Sequence, residues 1–119
     1  MRNVCRLLGV ASLLAASSLV VSAAEISGVL MDKMCSATAA TKGQDFAMAH
    51  DTKCALQAAC QRTGYGVFTA DNKFIVLDAA GNAKAVAALK ATKKADHLMV
   101  TVDGDVNGDM IKVASLKLQ

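Results

Sequence analysis

Proline and tryptophan are absent from this chain of 119 residues, and its aromatics are one tyrosine and three phenylalanines. So few aromatic side chains leave little surface for base stacking. Tyr65, Phe68 and Phe74, which fall on strand-like segments, are also needed to fill a core. Charge of one sign is equally scarce, since a formal net charge of +3 is too weak for the footprint of a nucleic-acid-binding protein. No Pro/Ser-rich linker and no internal repeat divides the chain, and its length allows one small domain. The cysteines form no C-x-x-C pair and no C-x-x-C-H, which removes the signatures of a thiol redox enzyme and of covalent haem attachment. Disorder is excluded as well. With 54% hydrophobic and 19% charged residues, the chain is too apolar and too balanced in charge to stay unfolded.

What is present starts with an address. Arg2 and Arg6 precede an uncharged run over residues 7–21, and Ser22, Ala23 and Ala24 follow it. This is the layout of a secretory signal peptide. The run, about 15 residues, is short of the roughly 20 that a membrane span needs, and no Cys follows it at a lipobox-like position. Residues 1–24 are therefore expected to be removed. Residues 25–119 would remain as a single periplasmic or secreted domain with no stable membrane anchor. Processing takes away Arg2, Arg6 and Cys5. Lys plus Arg then falls from 13 to 11 against 10 acids, a net charge of +1. Three cysteines remain: Cys35, Cys54 and Cys60.

Residues 25–30 predict a first strand, with Ile26 and Val29 in the core and a bulge at Gly28. Residues 31–43 read as an irregular linker around Cys35. The Ala-rich stretch at about 44–61 predicts a helical insertion, within which Asp51-Thr52 caps a shorter helix over residues 53–61. Residues 64–69 and 74–77 form a hairpin about the polar turn 70–73. Asn82 is placed as the N-cap of a helix that buries Val86 and Leu89, with Lys84, Lys90, Lys93 and Lys94 on its solvated side and in the loop beyond. Residues 98–102 alternate as a half-buried strand does. Asn107-Gly108 is a hairpin-turn signal leading into residues 110–118, where Ile111, Val113, Leu116 and Leu118 share a face only if a bulge intervenes.

Five strands with a helix between the third and fourth is the order of the oligonucleotide/oligosaccharide-binding (OB) barrel. The expected fold is β-rich α+β. It is a small five-stranded OB-like barrel with a Cys-bearing helical insertion after strand 1 and a helix between strands 3 and 4. An α+β sandwich with both helices on one sheet face is the alternative.

Four stretches read together carry a resemblance: G-V-L-M-D-K-M-C, H-D-T-K-C-A-L-Q-A-A-C, T-G-Y-G-V-F and V-D-G-D-V-N-G-D-M-I-K-V-A-S-L. They resemble a family of small exported bacterial proteins of unknown function. Its members join a strand ending in Asp and Cys to a His…Cys-Ala…Cys segment and a barrel-like β domain. The resemblance spans residues 26–118. It implies the fold and export, and no established activity.

Cys35, His50, Cys54 and Cys60 are the constellation with chemical content. Three thiols and an imidazole match a tetrahedral zinc set in type and number. His50 and Cys54, four apart, would share a face of a continuous helix. Cys60 would lie about 120° round from them unless the helix ends or bends. Met31, Met34 and Met48 extend the set toward copper(I), which favours thioether and thiolate ligands. The competing reading is a disulfide. Export oxidises cysteines, and closing a loop of some 20 residues stabilises a small domain by roughly 3 kcal/mol. Cys35 pairs with Cys54 or Cys60 in that reading, because Cys54 and Cys60 within one helix would be about 9 Å apart. One thiol is then left over.

The remaining signals are weaker. A cysteine nucleophile with His50 or His97 as base lacks an orienting third group. His97, beside Asp96, reads as a loop residue. Asp103, Asp105 and Asp109 read as a solvated turn, because the closing Glu of a calcium loop is missing. Tyr65, between two glycines, is the candidate for contact with a small ligand. The function expected from sequence is thus a non-enzymatic exported binding module stapled by a disulfide, with no cofactor and an unknown protein or small-molecule partner. A metal-binding protein using Cys35, His50, Cys54 and Cys60 for zinc or copper is the alternative.

Overall fold

The structure, a computed structural model, describes residues 22–119. The signal segment expected over residues 1–24 lies, up to residue 21, outside the described residues. Its expected cleavage point falls inside the first strand. The order of elements is β1 (Ser22–Asp32), α1 (Lys33–Lys42), α2 (Gln44–Ala49), α3 (Thr52–Ala55), α4 (Ala58–Thr63), β2 (Tyr65–Phe68), β3 (Phe74–Leu77), α5 (Ala79–Ala91), β4 (Met99–Asn107) and β5 (Met110–Leu118).

The five strands close into a barrel in the order β1-β2-β3-β5-β4. Every contact between neighbouring strands is antiparallel except β3 with β5. The helical insertion leaves after β1 and returns at β2, and α5 links β3 to β4, as the sequence predicts. The last hairpin turns at Gly108, whose φ of 64° is positive. The bulge expected in the last strand is also present. Asp103 pairs with Ser115 and Gly104 with Val113, so Ala114 is the extra residue. Ile111 and Val113 are thereby buried, with Leu116 and Leu118 packed against the same core.

Strand alternation divides the apolar residues between two cores. Leu30, Val67, Val100, Val102, Ile111 and Tyr65 belong to the larger core, with Leu89 of α5 packed among them. Val29, Met31 and Phe68 point the other way and are covered by Ala39 of α1 and Ala47 of α2. The ends of β1 and β2 are thus buried on both faces. Asp32 shares the parity of Leu30 and is fully buried.

Four local expectations need correction. Gly28 makes no bulge, since β1 keeps register with β4 through it. A Cβ there would sit 2.3 Å from the Phe68 carbonyl oxygen, so the glycine permits a close approach of β1 to β2. Residues 31–43 are not an irregular linker, because β1 runs on to Asp32 and α1 follows. The Asp32 carboxylate accepts the Cys35 N–H at 2.9 Å, an N-cap ahead of an Ala-rich run of good helix formers. The buried side of α1 is only Ser36 and Ala39, which leaves no apolar period to read.

The single helix expected over residues 53–61 is two. Gln57 takes extended backbone between α3 and α4, and the Gln61 amide donates to the freed Leu56 carbonyl at 2.6 Å. The insertion therefore spans residues 33–63 rather than about 44–61. Finally, α5 is capped by Asp78, which accepts the Gly81 N–H at 2.9 Å. Asn82 sits inside the helix and accepts the Tyr65 N–H at 2.8 Å, tying α5 to β2.

Candidate metal centre

Each half of the site is built by the same local device. Asp32-Lys33-Met34-Cys35 opens α1 and Asp51-Thr52-Lys53-Cys54 opens α3. In both, the Asp side chain caps the helix by accepting the N–H of the Cys three residues on, at 2.9 Å for Cys35 and 2.6 Å for Cys54. Each cysteine is thereby fixed in the first turn of its helix. Between them α2 ends at His50, whose extended backbone stops the helix and leaves the imidazole 3% exposed.

These elements converge. Ligand atoms of Cys35, His50 and Cys54 lie within 4.8 Å of one another. Two ligands bound at the usual zinc–sulfur distance of about 2.3 Å in a tetrahedron stand about 3.8 Å apart, so the spacing fits one shared cation. All three side chains line a cavity of about 230 Å³ that also touches Phe46, Ala49 and Asp51. The fourth expected member, Cys60, is not in this group. It is 4% exposed and sits behind the cluster, where its thiol adjoins Asp32 and Cys54.

Asp32 is the hub that sequence reading passed over. One carboxylate oxygen caps α1, and the other lies 2.8 Å from His50 Nε2. The pair is almost wholly withdrawn from water. The approach is short but poorly aligned, so that neither Asp32 Oδ1 nor His50 Nε2 has a hydrogen-bond partner of good geometry. We take it as an electrostatic contact. Burial pushes the Asp32 pKa up, but the contacts with His50 and the Cys35 N–H outweigh that and hold it below the ordinary value. A carboxylate set against a ligating histidine is a familiar support for metal sites, orienting the ring and making it more basic.

The thiols feel the opposite pressure. Burial, then the Asp32 charge, push Cys35 up to about 12. The same causes raise Cys60. A helix N-terminus ordinarily favours a thiolate, and here burial and the neighbouring carboxylate win. Both shifts favour the neutral thiol over the thiolate. A bound cation would supply the missing positive charge and displace protons from its ligands.

The disulfide expected from sequence is not formed. Among the described residues Cys35, Cys54 and Cys60 are all free, and the two in the cluster stand 4.3 Å apart, about twice a disulfide bond length. They occupy the first turns of separate helices whose caps hold them apart around the imidazole. His50 and Cys54 also do not share one helix, because a break at Asp51 separates α2 from α3.

Tyr65 is no surface residue. It is 1% exposed, and its hydroxyl donates to the Ala55 carbonyl at 2.6 Å. Burial, then the charge of Asp32, push it up to about 12. A tyrosine flanked by glycines fits here because β2 is buried on both faces. Of the methionines invoked for copper, Met31 is fully buried in the outer core, Met34 is half-exposed and Met48 packs against that outer core. His97 is an exposed loop residue paired with Asp96 at 2.7 Å.

No family model, no curated protein and no solved structure matches this chain. Among the described residues no helix is long and apolar enough to cross a membrane.

Proposed function

We propose that this is a small, exported, non-enzymatic metal-binding protein that takes a thiolate-seeking transition-metal ion, zinc or copper(I), through Cys35, His50 and Cys54. One observation carries the reading: two thiols from the first turns of α1 and α3 and an imidazole from the residue that ends α2 converge within 4.8 Å at the wall of a single cavity. Such donors suit these metals, and the buried carboxylate against His50 supplies the usual support. Export belongs to the proposal on the strength of the N-terminal pattern alone. An OB-like assignment for the barrel likewise rests on its strand order and the position of α5. Nucleic acid is not an attractive partner, since Tyr65 and Phe68, two of the strand aromatics, are fully buried.

Elemental analysis and thiol titration of the full chain, purified under reducing conditions, test the reading. One equivalent of zinc or copper that is retained through gel filtration, and lost in Cys54→Ser, is the expected result. A protein that binds neither ion in reducing buffer would end it.

A further inference from the structure

The three donors and the remaining thiol stand on different sides of the cluster. Cys35, His50 and Cys54 all face the cavity, together with Phe46, Ala49 and Asp51. Cys60 does not line it. It is buried with Asp32 on the protein side. A cation seated among the three donors therefore has protein ligands on one side and open space on the other. Charge points the same way. Two thiolates beside the buried Asp32 already outweigh a divalent ion by one negative charge. A third thiolate from Cys60 would add another in a place withdrawn from water, where uncompensated charge is most unfavourable.

From this we infer that the site is open rather than closed: Cys35, His50 and Cys54 are the only protein ligands, the fourth position faces the cavity and takes a small neutral donor such as water or an imidazole, and Cys60 lies outside the coordination sphere. This rests on the metal reading above. Anionic donors are disfavoured by the Asp51 carboxylate on the same wall and by the two thiolates. Closed four-ligand sites are typical of structural zinc, whereas an open position is typical of sites that exchange a ligand. The site is then suited to handing its ion on or to accepting a side chain from outside.

Cobalt(II), a coloured substitute for zinc, tests this in the reduced full chain. The expected spectrum has four-coordinate visible bands and the charge-transfer intensity of two thiolates. That intensity is unchanged in Cys60→Ser and lost together with the ion in Cys54→Ser, and added imidazole shifts the visible bands of the wild type. Should Cys60→Ser fail to fold, Cys60→Val serves in its place, and the imidazole response needs no variant. Any thiolate count other than two, or bands indifferent to imidazole, overturns the open site while leaving a metal protein. Failure to bind cobalt, zinc or copper at all overturns the metal reading with it.

Discussion

Between the barrel and the helical insertion the size of the buried side chains changes abruptly. The barrel core holds Leu30, Tyr65, Val67, Leu77, Leu98, Val100 and Ile111. The buried positions of α1, α2 and α3 are Ser36, Ala39, Ala47 and Ala55. Alanine favours a helix but brings little apolar area to bury, and α2, α3 and α4 have 6, 4 and 6 residues, too short to persist alone. The barrel is a hydrophobic object closed by strand pairing. The insertion depends on two Asp caps, a few side-chain hydrogen bonds and the polar cluster where its helices meet. A bound cation would act almost entirely on the second region, and that contrast is open to experiment.

Leu30→Ala strikes the barrel and should have the largest effect. Removing a fully buried Leu should lower the unfolding free energy by about 3 kcal/mol, measured in urea. The loss should be the same with and without zinc, and a loss that shrinks when zinc is added would merge the two regions. Cys54→Ser strikes the insertion. Zinc at 100 times its dissociation constant should raise wild-type stability by about 2.7 kcal/mol and leave the variant unmoved. A variant stabilised as much as the wild type would remove Cys54 from the site.

Tyr65→Phe lies at the seam, where the hydroxyl from β2 holds the carbonyl of Ala55 in α3. It should destabilise by about 1.5 kcal/mol, since a buried carbonyl loses its donor. The pH dependence has a definite sign. The native hydroxyl titrates near 12 against about 10 when unfolded, so its contribution is intact below pH 10 and is lost as pH rises through 12. Because the chain has one tyrosine, the tyrosinate absorbance reads this group alone, and a native midpoint near 10 would contradict its burial. Asp51→Ala removes the cap of α3 and should have the smallest effect, about 1 kcal/mol. Hydrogen exchange should show the loosening in α3 and leave the barrel strands protected; loosening spread through β1 and β4 would show that the insertion is no separate unit.

Much of the barrel was legible because its signals are local. Period-two alternation marked residues 98–102, Asn107-Gly108 marked a turn, and the spacing of Ile111, Val113, Leu116 and Leu118 demanded a bulge, which falls at Ala114. The helix α1 was not legible, since a buried face of Ser and Ala has no hydrophobic period. A signal for it did exist: the repeated D-x-x-C of Asp32 to Cys35 and Asp51 to Cys54 is an Asp cap placed ahead of each cysteine. Asp32 escaped notice because a carboxylate at a strand end is usually solvated, and nothing local says that α1 and α4 will bury it.

By itself the sequence determined the strands, their turns, both Asp caps and the kinds of donor atom available, since these depend on residues within a few positions of one another. It could not decide whether the thiols cross-link, coordinate or stand apart. That followed from closure of the barrel, which brings the end of β1 beside the start of β2 and folds the 32 residues between them (33–64) back over a single point. Three donors are gathered there, Asp32 is placed behind His50, and Cys60 is left on the protein side. Metal geometry is a matter of ångströms between groups far apart in the chain, and only the tertiary fold sets those distances.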